Sequence, residues 1–128
     1  MIYLLLSGCN GSNHTNKPVD AFEAGRYFID ASLKGNYREA KKYLLADSLN
    51  IMYLDRISDF YNKMKSEEKE GYKNANIIIS NDGIQNVSDS VIIINYSNSF
   101  KNKPSKIKVR KVNGEWLVDF KYTFSGNM

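Results

Sequence analysis

At Ala75 the apolar residues of this chain change their period, and that change decides the class of fold open to it. Before Ala75 apolar side chains recur at helical spacing; after it, β-branched runs stand between turn-forming residues. Pro18 suits the first turn of a helix, where a missing N–H costs nothing, and Phe22, Gly25, Ile29 and Leu33 follow on one face until Gly35 can end it. A helix is therefore predicted over 18–34. A short second helix is predicted over 37–45, with Ala40, Tyr43 and Leu44 on one face. Asp47 or Ser48 can cap a third, bearing the stripe Tyr53, Leu54, Ile57, Phe60, Tyr61 and Met64. Ser66 as N-cap, followed by Glu67 and Glu68, predicts a last short helix ending at Gly71, since first-turn acids suit the helix dipole.

Beyond Ala75, the runs Ile77-Ile78-Ile79 and Val91-Ile92-Ile93-Ile94, then Ile107 and Val109, predict strands near 75–81, 90–99, 105–112 and 115–124. Asn81-Asp82-Gly83 reads as a turn. Asn113-Gly114 is the sharpest local signal: a two-residue type I′ turn needs φ > 0 at both positions, and it pins the last two strands as an antiparallel hairpin. Along the final strand Trp116, Val118, Phe120, Tyr122 and Phe124 alternate with Leu117, Asp119, Lys121 and Thr123, so the aromatic set is expected to face the helices. Helices first and an antiparallel meander after them predict an α+β fold, with three to four helices packed on a curved four-stranded antiparallel sheet. With 42% hydrophobic and 12% aromatic residues, one domain of this length can bury a core without staples.

The N-terminal residues carry a different message. Cys9, the sole cysteine, closes the string Leu6-Ser7-Gly8-Cys9 behind the apolar run Ile2-Tyr3-Leu4-Leu5-Leu6. This string resembles the lipobox of bacterial lipoproteins, in which small residues let the signal peptidase reach the bond before a cysteine that takes a diacylglycerol. The resemblance implies lipid attachment at Cys9 and a mature chain beginning there. A secretory signal has a basic start and an apolar stretch of about 7–15 residues, so the signal is expected to begin upstream of Met1. Asn10 to Lys17 is polar and reads as a flexible tether. The expected organisation is a lipoprotein signal segment at 1–8, a tether at 9–17 and a single α+β domain at 18–126.

Two stretches of the domain resemble a family. Phe28 to Leu44, in which a helix breaks at Lys34-Gly35-Asn36 before the alanine-bearing second helix, and the ending Val112-Asn113-Gly114-Glu115-Trp116-Leu117-Val118-Asp119-Phe120, look like small bacterial lipoproteins with a nuclear-transport-factor-2-like domain of unknown function. Asn36 stands where that family more usually has an acid. The resemblance implies a cone-shaped α+β fold. Enzymes of that superfamily place Asp, His or Tyr inside the cone, but its members also include non-catalytic binding modules, so the fold by itself licenses no reaction.

Candidates for chemistry are few. The single histidine, His14, falls in the tether. Asp119 alternates away from Trp116 and Phe120 and reads as a solvated strand carboxylate pairing with a lysine; Asp30 and Glu23 read as surface charges. No His/Cys/carboxylate spacing suits a metal and no glycine-rich loop suits a phosphate, so neither metal nor cofactor is expected. Tyr27, Tyr96, Trp116, Phe120 and Tyr122 are the candidates for lining a ligand pocket, against the plainer reading that tyrosines pack their rings and wet their oxygens.

Charge is unevenly spread about the net +4. Between Asp89 and Glu115 there is no acid, whereas Lys101, Lys103, Lys106, Lys108, Arg110 and Lys111 are basic. Lys106, Lys108 and Arg110 alternate with Ile107 and Val109 and are expected on one solvent face, where they suit an anionic envelope surface or an acidic protein, or else protect an edge strand from pairing. Nucleic acid is not an expected partner. Two functions follow as expectations: a lipid-anchored envelope protein, in the outer membrane and facing the periplasm, with a non-catalytic binding domain; or a cone pocket that binds or converts a small apolar molecule. A filled cone favours the first, an open apolar cone with an inward acid the second.

Overall fold

The computed structural model describes residues 17–125; Cys9, His14 and the 1–8 segment lie outside the described residues, with most of the tether. The first helix, α1 (Ala21–Leu33), starts three residues later than Pro18 suggests, because Asp20 takes the capping position and accepts from the Glu23 N–H at 2.8 Å. Its buried stripe is Ala21, Ala24, Gly25, Phe28, Ile29 and Ala31. Gly35, at φ +74°, lets the chain reverse. Asn36 then caps α2 (Tyr37–Lys41) through the Glu39 N–H at 3.2 Å, so an amide oxygen serves as the capping acceptor.

That second helix is shorter than its apolar pattern, and β-pairing is the reason. The Val118 N–H donates to the Tyr43 carbonyl at 2.7 Å and Leu45 N–H donates to the Val118 carbonyl at 2.8 Å, which spends on the sheet the groups a longer helix would have used. Asp47 caps α3 (Ser48–Asn62). Of its predicted stripe Leu54 is buried, Tyr53, Ile57 and Tyr61 are half-buried, and Phe60 is 68% exposed. The fourth helix, α4 (Ser66–Lys73), opens on Ser66 without a side-chain cap and passes through Gly71, where the Phe100 ring occupies the space a Cβ would need.

The strands β1 (Ile77–Ser88), β2 (Val91–Asn98), β3 (Ser105–Val112) and β4 (Glu115–Asp119) form one antiparallel sheet in the order β1-β2-β3-β4. Asn113 at φ 51° and Gly114 at φ 80° make the expected tight hairpin between β3 and β4. The turn expected at Asn81-Asp82-Gly83 is instead an irregularity within β1. Gly83 is buried there, its carbonyl accepts from Asn95 Nδ2 at 3.3 Å, and a Cβ would strike Ile79 and the carbonyls of Ser80 and Asn95. The chain reverses at 89–90.

The last strand also departs from its pattern. It stops at Asp119 and a 3-10 helix (Phe120–Phe124) follows, so Tyr122 and Phe124 do not continue the alternation. Two contacts account for this: Asn50 Oδ1 takes the Lys121 N–H at 2.6 Å, away from any ladder, and Phe120 turns inward edge-on to Phe28 at 5.0 Å. Trp116, expected inside, is half-buried at the margin of the core.

Ile92, Ile94, Ile107, Val109 and Val118 make the inner face of the sheet, and α1 lies on it chiefly over β3 and β4. Gly25 is what lets the helix approach: a Cβ there would sit 2.6 Å from Ile94 Cδ1 and 3.3 Å from Val109 Cγ2. α3 packs on the 3-10 helix, with Tyr53 stacked on Phe124 at 4.5 Å, and α4 rests on the β2–β3 connection through Tyr72 and Phe100. The fold is α+β, with four helices and a four-stranded antiparallel sheet.

Candidate functional site

Two acids are buried, and both are tied down. Asp119 is 4% exposed, contrary to its reading as a solvated carboxylate. The strand ends there, and α3 closes over it: Asn50 Nδ2 donates to Asp119 Oδ1 at 3.1 Å and to the Leu45 carbonyl at 2.9 Å. Lys121 Nζ stands 2.7 Å from Asp119 Oδ1 and 2.9 Å from Asp47 Oδ2, with Arg110 Nη1 3.5 Å from Asp119 Oδ2. The expected lysine partner is present, as the half-buried Lys121, but the carboxylate it meets is not solvated. Burial pulls the Lys121 ammonium down, and hydrogen bonds to Asp119 and Asp47 outweigh it, leaving its pKa raised. Asp47 is held below the ordinary carboxylate value, first by the Asn50 N–H and then by Lys121.

Glu39 is the second buried acid, at 2% exposure. Tyr43 donates to its Oε2 at 3.1 Å and Lys42 Nζ stands 2.9 Å from Oε1. Burial, and then that bond to Glu39, raises the Tyr43 pKa. Among the described residues every buried side-chain polar atom has a hydrogen-bond partner, and no three His, Cys, Asp or Glu side chains converge to hold a metal ion.

The other face of the sheet is open. There the alternation of β1, β2 and β3 sets Ile78 and Ser80 beside Asn95 and Ser97, and Asn95 across from Lys106. Together with Tyr96, Pro104 and Ser105 these residues line a trough of about 410 Å³. Ile78 is 43% exposed in it. Burial raises the Tyr96 hydroxyl pKa, partly opposed by a hydrogen bond with Ser105.

The predicted pocket residues are not gathered in one place. Tyr96 lines the trough. Tyr27 packs on Tyr43 at 5.5 Å; Phe120 is buried between Phe28 and Phe124; Trp116 lies under Lys111; and Tyr122 lies under Lys108 at 5.3 Å. The basic ladder is also divided. Lys106, Lys108 and Arg110 do share the outward face, but Lys108 covers Tyr122, Arg110 reaches Asp119, and Lys106 alone turns to the trough. β3 is an internal strand between β2 and β4, so these cations do not guard an edge.

Asn50, Glu39, Ser80, Asn95 and Ser97 are the residues that pattern reading passed over. Strand parity would have put Asn95 and Ser97 on the face of Lys106; nothing local marks Asn50, whose partners Asp119 and Lys121 are about seventy positions away. No protein-family model matches the chain, and no curated protein is significantly similar to it.

Proposed function

We propose that this chain is a lipid-anchored envelope protein of the nuclear-transport-factor-2-like kind, whose domain binds an envelope component with the outer face of its sheet and does not catalyse. One observation carries the binding reading: the helix-facing interior is filled, while the opposite face is a trough with an exposed apolar side chain and a cation. Phe28, Ile94, Ile107, Val109 and Val118 are at most 1% exposed, and the two acids nearest that interior are held by Lys121, Asn50, Tyr43 and Lys42. A base or nucleophile must be free to meet a substrate. Asp119 and Glu39 already have permanent partners, which favours the binding domain over a cone that converts a small apolar molecule.

The anchor rests on the lipobox resemblance at Cys9. No helix among the described residues is long and apolar enough to cross a membrane, so attachment at Cys9 would supply the membrane affinity. The expected location is the outer membrane, facing the periplasm. Cys9→Ala should leave the membrane fraction and escape cleavage by the lipoprotein peptidase; unchanged fractionation would remove the anchor from the proposal. The binding face is tested with the full chain carrying Cys9→Ser, sedimented with phosphatidylglycerol vesicles. Association should weaken as salt is raised, because screening shortens to about 3 Å at 1 M. Equal sedimentation with neutral and anionic vesicles, or none, contradicts the reading.

A further inference from the structure

We propose that the outer trough is a site for a monoanionic amphiphile, a carboxylate or phosphate borne on an apolar tail. This rests on the binding reading above and names the ligand chemistry. The apolar side comes from Ile78 and Pro104, contributed by β1 and the β2–β3 connection, while the ring of Tyr96 turns to the core side of β2. Ile78 is 43% exposed on a strand, beside Ser97 rather than another apolar side chain, so its surface stays wet unless something covers it. The polar side comes from Ser80, Ser97 and Asn95, short side chains that hydrogen-bond an oxygen-rich group without filling the space it needs.

The charge is set by Lys106. No acid lines the trough, and none occurs in the chain between Asp89 and Glu115. Of the neighbouring cations, Lys101 pairs with Glu68, Arg110 with Asp119, Lys108 lies over Tyr122 and Lys111 over Trp116, and Lys103 is not among the residues that line the trough. Among the described residues Lys106 has no carboxylate within ion-pair distance. A half-buried lysine without a carboxylate partner, beside exposed aliphatic surface, selects a ligand with one negative end and one apolar end. The volume of about 410 Å³ falls within the range of small-molecule sites. A neutral sugar would leave the ammonium unmatched, and a dianion would carry a second charge with no partner.

The test uses the full chain with Cys9→Ser, so that its own lipid cannot compete, and two probes: sodium octanoate and octanol. Backbone amide shifts of Ser80, Ser97 and Lys106 report occupancy. Octanoate should bind saturably, and both Lys106→Gln and Ile78→Ser should weaken it at least about tenfold, a difference of one decade in Kd. Octanol should bind at least as weakly as octanoate binds Lys106→Gln, and Lys103→Gln should match the wild type. Both weakened variants must retain the wild-type melting temperature, which their places on the open face of the sheet predict. Absence of saturable octanoate binding, equal binding to Lys106→Gln, or equal affinity for octanol overturns the assignment. Competition between octanoate and phosphatidylglycerol vesicles assigns the ligand to bilayer lipid; octanoate binding without competition assigns it to a free fatty acid. Vesicle association that persists when octanoate fails to bind sinks this site and leaves the broader binding reading standing.

Discussion

Replacing Asn50 by alanine removes the side chain on which the junction of α3, β4 and the 3-10 helix depends. Asn50 is 0% exposed, donates to the Leu45 carbonyl and Asp119 Oδ1, and accepts the Lys121 N–H at 2.6 Å. Asp119 Oδ1 keeps Lys121 Nζ at 2.7 Å, so that oxygen is not stranded. The Leu45 carbonyl and the Lys121 N–H lose these bonds in a closed site. At about 1–3 kcal/mol for each unsatisfied group, the loss is about 2–6 kcal/mol, a large share of the ~5–15 kcal/mol that holds a domain together. Urea unfolding should show a lower midpoint at unchanged slope. Asn50→Asp keeps an acceptor but puts a second carboxylate against Asp119, so it should be less stable than the wild type at neutral pH and regain part of the difference on acidification, when one proton restores a donor. A loss below about 1 kcal/mol for Asn50→Ala, which water entering the site would produce, would refute the reasoning. It would also return Asp119 to the pool of available bases.

Gly25→Ala should destabilise by about 1–3 kcal/mol despite alanine's better helix propensity, because overpacking against Ile94 and Val109 exceeds a gain of at most about 1 kcal/mol; a variant as stable as the wild type in thermal denaturation would mean that α1 can shift off the sheet. The Asp47–Lys121 pair should leave opposite marks at the two ends of the pH range. Asp47 is depressed, so its contribution is present above the unfolded carboxylate value and is lost as pH falls through the folded one. Lys121 is raised, so its contribution is present below the unfolded lysine value and is lost as pH rises through the folded one. Urea midpoints of Asp47→Asn against wild type should therefore converge in strong acid; a constant difference at every pH would remove the charge from the explanation.

Local chemistry made much of this fold legible. β3 is found at its expected residues because Ile107 and Val109 alternate with cations, and the type I′ turn follows from two residues that accept positive φ. Departures occur where distant parts of the chain compete for the same groups. α2 gives up its last turn to a bridge with Val118, and β4 ends where Asn50 takes the Lys121 N–H. Gly83 looked like a turn because Asn-Asp-Gly favours one, yet here glycine is needed for close approach of Ile79 and two carbonyls. The trough was only partly visible: Lys106 stood out by charge, but Ile78, Ser80, Asn95 and Ser97 meet only through the register of three strands.

Amine acylation read by mass spectrometry, on the full chain carrying Cys9→Ser with and without phosphatidylglycerol vesicles, tests most directly whether the outer sheet face is the binding face. Lys106 lines the trough, while Lys41 and Lys73 lie on helices. Vesicles should protect Lys106, high salt should restore its reactivity, and Lys41 and Lys73 should react at one rate throughout. Protection confined to the helix lysines, or no protection of Lys106 while the chain sediments with the vesicles, would contradict binding through this face.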